Sequence, residues 1–207
     1  MPTVFLVDDD DSVRRALSRL IKSAGYAVQA FASARDFLEY WRVINEGLAC
    51  LVLDIRMPGL SGLDLQHELL ASNTLLPIIF ITGHGNIPMG VKAMKEGAVD
   101  FLPKPLKDKE LLNAIEQALS RADHGLREQK ELEYVQRRLK TLTPREREVM
   151  TLVVRGLLNK QIAFELGTVE KTVKVHRARV MEKMEVQSLA DLVRLAEKIG
   201  LAAEKEK

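Results

Sequence analysis

One cysteine, Cys50, occurs in 207 residues, which excludes an intrachain disulfide and points to a reducing compartment. It adjoins the apolar run Leu51-Val52-Leu53 and is expected to be a buried structural thiol, not a nucleophile. No apolar run approaches the roughly 20 residues that a spanning helix needs, so no membrane partner is expected. Met1-Pro2-Thr3 leads straight into strand-like sequence, without the basic region, apolar core and cleavage site of a secretory leader. These absences predict a cytoplasmic location. Internal repeats and low-complexity tracts are missing too, which excludes solenoid arrays. There is also no excess of one charge sign: 31 Lys and Arg stand against 29 Asp and Glu, a net of +2.

The composition that remains, 46% hydrophobic and 29% charged, is that of a soluble globular chain of one or two domains. Its charge is unevenly spread. Residues 1–122 carry 13 basic and 15 acidic groups, residues 123–139 four of each, and residues 140–207 carry 14 and 10. A mildly acidic first region followed by a basic one is a weak pointer to nucleic acid in the second.

Residues 1–122 alternate apolar runs at 3–7, 27–30, 50–53, 77–81 and 99–102 with amphipathic stretches at 12–24, 34–42, 62–72, 87–96 and 107–122. Continuous apolar runs suit strands buried on both faces, and five strand–helix pairs of this size predict a doubly wound, flavodoxin-like α/β domain. Residues 123–139 turn polar with charges of both signs and are expected to form an exposed helical linker. Residues 140–207 are wholly helical. Thr143 caps a helix with Pro144 in its first turn and Glu146 closing a capping box; it ends near Gly156. Further helices are expected at 159–166, 170–184 and 189–199, giving a smaller all-α domain.

Asp8 and Asp9 follow the first strand directly, Asp54 the third, Thr82 the fourth and Lys104 the fifth. The carboxyl ends of parallel strands form one edge, where ligands bind. Three carboxylates, a hydroxyl and an ammonium are thereby expected in one pocket. Clustered carboxylates repel one another unless a cation neutralises them, and hard oxygen donors suit Mg²⁺. In such a pocket Asp54 would act as nucleophile towards a phosphoryl group, with Lys104 stabilising charge and Thr82 bonding a phosphoryl oxygen. Gly83 leaves room beside it, and Gly62 opens a neighbouring helix. Asp10 and Asp11 are expected only to cap or flank the first helix, and His84 to be a loop residue. A phosphatase with an aspartate nucleophile would want a second carboxylate two residues on, where this chain has Arg56.

Val7-Asp8-Asp9, Leu53-Asp54-Ile55-Arg56-Met57-Pro58-Gly59, Ile81-Thr82-Gly83 and Phe101-Leu102-Pro103-Lys104-Pro105 together resemble the ordered motif set of response-regulator receivers. The resemblance covers residues 3–122. It implies strand order 2-1-3-4-5, Asp54 as phosphoacceptor, and Mg²⁺ held by Asp9, Asp54 and the backbone carbonyl of Arg56, with Asp8 acting mostly through water. A cis Lys104–Pro105 peptide is implied as well. The chain is then expected not to be an enzyme beyond self-phosphorylation and slow self-dephosphorylation.

In the basic region, the helices at 159–166 and 170–184 form a helix-turn-helix candidate. Ile162, Ala163, Leu166, Val173, Val180 and Met184 are expected to pack inward. Lys171, Lys174, His176, Arg177, Arg179 and Lys183 leave the other sides of the second helix basic and polar. Such a helix fits the major groove. The runs from Leu142 to Val149, Asn159-Lys160-Gln161-Ile162-Ala163 and Thr172-Val173-Lys174-Val175-His176 resemble the LuxR-type domain. Joined to the receiver motifs, they resemble the FixJ-like subfamily of transcriptional regulators. DNA contacts are expected from Lys160, Lys171, Thr172, Lys174, Val175, Arg177 and Arg179. Of these, Lys174 and Arg177 are placed at or near the bases, and Lys160 and Arg179 at phosphates. The resemblance implies that the helix at 189–199 assists dimerisation. One departure stands out: Val169 occupies the place where the pattern has Ser or Thr. Either Thr168 caps from one residue earlier or this helix start is less well satisfied.

The resemblance implies a sensor histidine kinase as phosphoryl donor, Thr82 and Phe101 as a switch, and a homodimer on phosphorylation. Phe101 also has a plain core-packing reading. A regulator of this length has no room for an ATPase module, so activation would pass through contact with RNA polymerase; an activator is favoured over a repressor.

Overall fold

The computed structural model describes residues 1–44, 47–72, 74, 76–83 and 87–201; His84 lies outside them. Among the described residues the chain forms two compact units, Met1–Arg127 and Glu128–Lys207.

The first unit is built on β1 (Thr3–Val7), β2 (Ala27–Phe31), β3 (Ala49–Asp54), β4 (Ile78–Thr82) and β5 (Asp100–Pro103). All four pairings are parallel and the order is β2-β1-β3-β4-β5. Between the strands run α1 (Asp11–Ser23), α2 (Ala34–Ile44), α3 (Gly62–Ala71) and α4 (Ile87–Lys95), and α5 (Asp108–Thr141) follows β5. β3 and β4 are buried along their whole length, as their unbroken apolar runs require. Cys50 and Val52 point into a core shared with Leu17 and Ile21 of α1 and Leu111 and Ile115 of α5. Leu51 and Leu53 point the other way, onto Phe37 and Trp41 of α2 and Leu65 and Leu69 of α3. Each such side chain contributes about 1.5–3 kcal/mol, so the two-sided core fixes which strand faces which helix. Cys50 is buried and its thiol is pushed up to about 12 by desolvation, which makes it inert as a nucleophile.

The expected break near residue 122 is not a break in helix. α5 runs on through residues 123–139 as one helix of 34 residues. Nor is that stretch wholly exposed, as the sequence suggested. Val135 is buried among Val149, Met150 and Met184, with Leu139 packed against the same core. Two apolar positions one helical turn apart suffice to bury one stripe of an otherwise polar helix.

In the second unit, α6 (Pro144–Val154), α7 (Asn159–Glu165), α8 (Glu170–Lys183) and α9 (Leu189–Lys198) close around Val149, Val153, Ile162, Val173, Val180 and Leu192. Thr143 caps α6 reciprocally with Glu146, with Pro144 in the first turn. Val169 is the N-cap of α8 and provides no side-chain hydrogen bond, so the second of the two sequence alternatives holds.

Lys183, read from sequence as part of the basic face, does something else. Its Nζ lies 2.6 Å from Oε2 of Glu146, a residue 2% exposed, and 3.1 Å from the Thr141 carbonyl. The Lys183 hydrogen bond first, then the Thr143 amide, holds the Glu146 carboxyl down at about 2. A depressed carboxyl stabilises the fold above its unfolded value near 4.5 and loses that contribution as pH falls towards about 2. Glu146→Gln should therefore cost about 1–3 kcal/mol at neutral pH. The gap from the parent protein should close between pH 4.5 and 2 in urea titrations. A gap that stays constant down to pH 2 would contradict this role.

Candidate functional site

Strand register assembles the acidic site. Val7 pairs with Leu53, so Asp8 emerges beside Asp54. Asp54 pairs with Ile81, which sets Thr82 next along, and Thr82 pairs with Pro103, which delivers Lys104. The Lys104 amide donates to the Thr82 carbonyl at 2.7 Å, and Lys104–Pro105 is cis. Five residues from four separate strand ends thus meet at one sheet edge, as the motif spacing predicts. The boundaries differ by one residue: Asp54 and Thr82 are the last residues of their strands rather than the first beyond them.

Lys104 is the centre of charge. Its Nζ lies 2.6 Å from Asp54 Oδ2 and 2.7 Å from Asp8 Oδ2. Asp54 Oδ1 accepts the Arg56 amide at 3.1 Å, and Asp8 Oδ1 accepts the Asp10 amide at 2.8 Å. Asp8 is fully buried, Asp54 and Thr82 nearly so, and Asp9 is exposed. Burial is the main reason that the Asp8 carboxyl is raised above its ordinary value. At Lys104, burial opposes the charge, but hydrogen bonds to Asp54 and Asp8 outweigh it and the ammonium is raised. Oxygens of Asp8, Asp9 and Asp54 lie within 4.8 Å of one another, a hard donor set that fits Mg²⁺. Asp10 caps α1 through the amides of Ser12 and Val13, and Asp11 is the helix's first residue, so neither joins the cluster.

Two supporting features go beyond the sequence reading, which placed Gly62 at a helix start but not against Asp54. Arg14 of α1 reaches back to the Asp8 carbonyl at 2.7 Å, a contact that no motif signals. Gly62 begins α3 against the backbone of Asp54: a Cβ there would lie 2.3 Å from the Asp54 carbonyl oxygen and 3.0 Å from Ile55 Cα. Both neighbours are backbone and cannot swing aside. Gly62→Ala is expected to cost about 1–3 kcal/mol by forcing a backbone shift, and to slow phosphoryl uptake at Asp54 more than tenfold. Thermal melts and a labelling time course would measure both; parent-like values would show that α3 yields freely.

Phe101 is half-buried, and α4 comes so close that a Cβ on Gly90 would meet its ring at 3.3 Å. On the second unit, Lys160, Lys171, Lys174, Val175 and Arg179 are exposed, while Thr172 and Arg177 are half-buried. Lys174 also pairs with Glu170 at 3.1 Å, and Arg177 Nη1 donates to Asn159 Oδ1 of α7 at 3.2 Å. The outward cations of α8 are therefore Lys171, Lys174 and Arg179, with Arg177 held towards α7.

No described helix is long and apolar enough to cross a membrane. The family model "Response regulator receiver domain" matches residues 4–116, and "Bacterial regulatory proteins, luxR family" matches residues 140–196. Nodulation protein W of Bradyrhizobium diazoefficiens is 52% identical over 97% of this chain and 87% of its own length. The transcriptional regulatory protein FixJ of Azorhizobium caulinodans is 44% identical over 96% and 93%. Among solved structures, the response regulator StyR superposes with a TM-score of 0.84 at 52% identity over 95% of this chain and 98% of that one. Full-length FixJ from B. japonicum gives 0.58 at 40% over 97% and 98%. With the acid–lysine pocket at one end of its sequence and a basic helix-turn-helix at the other, the chain belongs to the response regulators that join a receiver domain to a LuxR-type DNA-binding domain.

Proposed function

We propose that Asp54 accepts a phosphoryl group from a sensor histidine kinase and that the modification controls dimerisation and transcription from the bound DNA. The observation that carries this reading is the buried Asp8–Lys104–Asp54 arrangement, in which one ammonium serves two carboxylates at 2.7 and 2.6 Å. An Asp54 oxygen attacks phosphorus while the bond to the donor's imidazole nitrogen breaks, leaving an acyl phosphate. Lys104 stays protonated and moves from the carboxylate to the equatorial oxygens. Thr82 supplies its hydroxyl to one of them. Receiver domains use Mg²⁺, and here Asp9, Asp54 and the Arg56 carbonyl would hold it, with Asp8 behind; when bound, the ion offsets the negative charge of the incoming group.

Phosphorylation adds about 1.5–2 negative charges and new acceptor oxygens. Recruitment of Thr82 then rearranges Phe101, whose ring packs against Gly90 before the switch. The exposed apolar residues Val91 and Met94 of α4 support a receiver dimer on the α4–β5 face. In this reading residues 1–122 receive the signal, 123–139 connect, and 140–207 bind DNA as an activator in the cytoplasm that contacts RNA polymerase. α9 assists pairing of the DNA-binding units, and two linked units gain effective concentration on paired half-sites. Lys171, Thr172, Lys174, Val175, Arg177 and Arg179 of α8 meet the major groove, and Lys160 a phosphate.

Phosphopeptide mapping after reaction with acetyl phosphate and Mg²⁺ tests the first step. One phosphoryl group on the peptide carrying Asp54 is the expected result. A label elsewhere, or none, overturns the assignment.

A further inference from the structure

α8, α1, α4, α6, α7 and α9 all end in the same way. The residue after the cap turns left-handed, its amide bonds two positions inside the helix end, and the next amide reaches one residue further back. In five of the six that left-handed residue is glycine: Gly25, Gly97, Gly156, Gly167 and Gly200. At the end of α8 it is Glu185, with φ 49°, the only non-glycine at positive φ among the described residues. A Cβ is disfavoured there, and such exceptions persist where surrounding contacts compensate for them.

Those contacts come from the second half of α5. The Glu185 carboxylate accepts a hydrogen bond from the Tyr134 hydroxyl at 3.2 Å and pairs with the Arg138 guanidinium. Arg138 lies 4.0 Å over the Tyr134 ring, hydrogen-bonds the Tyr134 hydroxyl, and donates to the Met184 carbonyl at 2.8 Å. One arginine, 13% exposed, thus holds both the Glu185 side chain and the carbonyl of Met184, the C-cap residue of α8. Around it, Lys183 of α8 donates to the Thr141 carbonyl, Val135 fills the core beside Met184, and Glu131 pairs with Lys198 of α9 at 2.7 Å.

We propose that Tyr134, Arg138 and Glu185 form a latch through which the second half of α5 positions α8 for DNA. It makes residues 128–141 a working part of the DNA-binding unit instead of a passive spacer. The three are positioning residues: none needs to touch DNA. The proposal rests on α8 being the DNA-reading helix.

The test uses Glu185→Gly in the full-length protein. Glycine suits the left-handed backbone, so a mere capping role predicts equal or greater thermal stability and unchanged DNA binding. Loss of a negative charge by itself would tighten DNA binding. The latch predicts the opposite: DNA affinity falls at least fivefold in a fluorescence anisotropy titration, stability is retained, and amides of residues 134–141 exchange hydrogen at least tenfold faster. Arg138→Met, which keeps the aliphatic stem, should show the same exchange signature, and Arg138→Lys should restore part of it. Parent-like exchange and affinity in Glu185→Gly would overturn the latch, and faster exchange with unchanged affinity would overturn its positioning role. If the parent protein itself retains no DNA while exchange responds as stated, the fault lies with the DNA-reading assignment of α8.

Discussion

Lys104→Met should destabilise the receiver at neutral pH in the absence of divalent cations, and Mg²⁺ should restore much of the loss. The parent pocket sets Asp8, fully buried, and Asp54, 6% exposed, against one ammonium. Removing it leaves two desolvated carboxylates facing each other without a counter-charge. Lys104 is itself 20% exposed, which tempers the penalty to about 2–4 kcal/mol. For a chain of this size that is a fall of roughly 6–12 °C in the receiver transition in EDTA. A divalent cation on the same oxygens would supply the missing charge. Acid should help as well. The Asp8 carboxyl is already raised in the parent, so its contribution to stability is fully present below 3.8 and is lost as pH rises through its folded value. In the variant that window widens upward. The Lys104 ammonium is raised too, so on the alkaline side the parent's ion pairs persist through neutrality and weaken above 10.5. Calorimetry in EDTA and in Mg²⁺ decides: equal melting of variant and parent in EDTA would sink the account.

The second large effect is expected on α8. Replacing Lys171, Lys174 and Arg179 together with alanine removes three exposed cations from one helix surface while keeping helix propensity. Each lost phosphate contact lowers the slope of log affinity against log salt by about 0.9. Affinity for a selected target fragment should fall on the order of a hundredfold at moderate salt. A control chain lacking Lys22, Arg35 and Arg42, all exposed on the first unit, has the same net charge and should lose little. Equal losses in the two chains would reduce the effect to net charge and remove α8 from the interface. Arg177→Ala is a separate case, because its guanidinium is engaged with Asn159 and its loss should disturb the seating of α7 against α8 as well.

How much of this was legible in the chain follows from the physics of each feature. The acidic site could be read because Asp8, Asp54, Thr82 and Lys104 each terminate or follow an apolar run, and parallel strands must present such residues at a common edge. The reciprocal cap of α6 could be read because Thr143 and Glu146 stand at a fixed local spacing. Lys183 could not be placed: its partner Glu146 lies 37 residues away, and a lysine on a basic helix looks alike whether it faces DNA or a buried carboxylate. The burial of Val135 in the middle of a polar stretch depends on a core built by other helices. The latch leaves still less trace, because Met184-Glu185-Val186 lacks the glycine that marks the ends of α1, α4, α6, α7 and α9. Local spacing carries local structure; pairs distant in sequence emerge only when the fold is built.

The central claim, that phosphorylation of Asp54 governs the DNA-binding state, is tested most directly by molecular mass and DNA retention. Parent protein and Asp54→Asn would each be measured with and without acetyl phosphate and Mg²⁺. The expected result is that only the parent protein shifts to a dimer and retains target DNA more tightly when the phosphoryl donor is added. Identical mass and retention for both proteins under every condition would leave the DNA-binding assignment standing and contradict the switch.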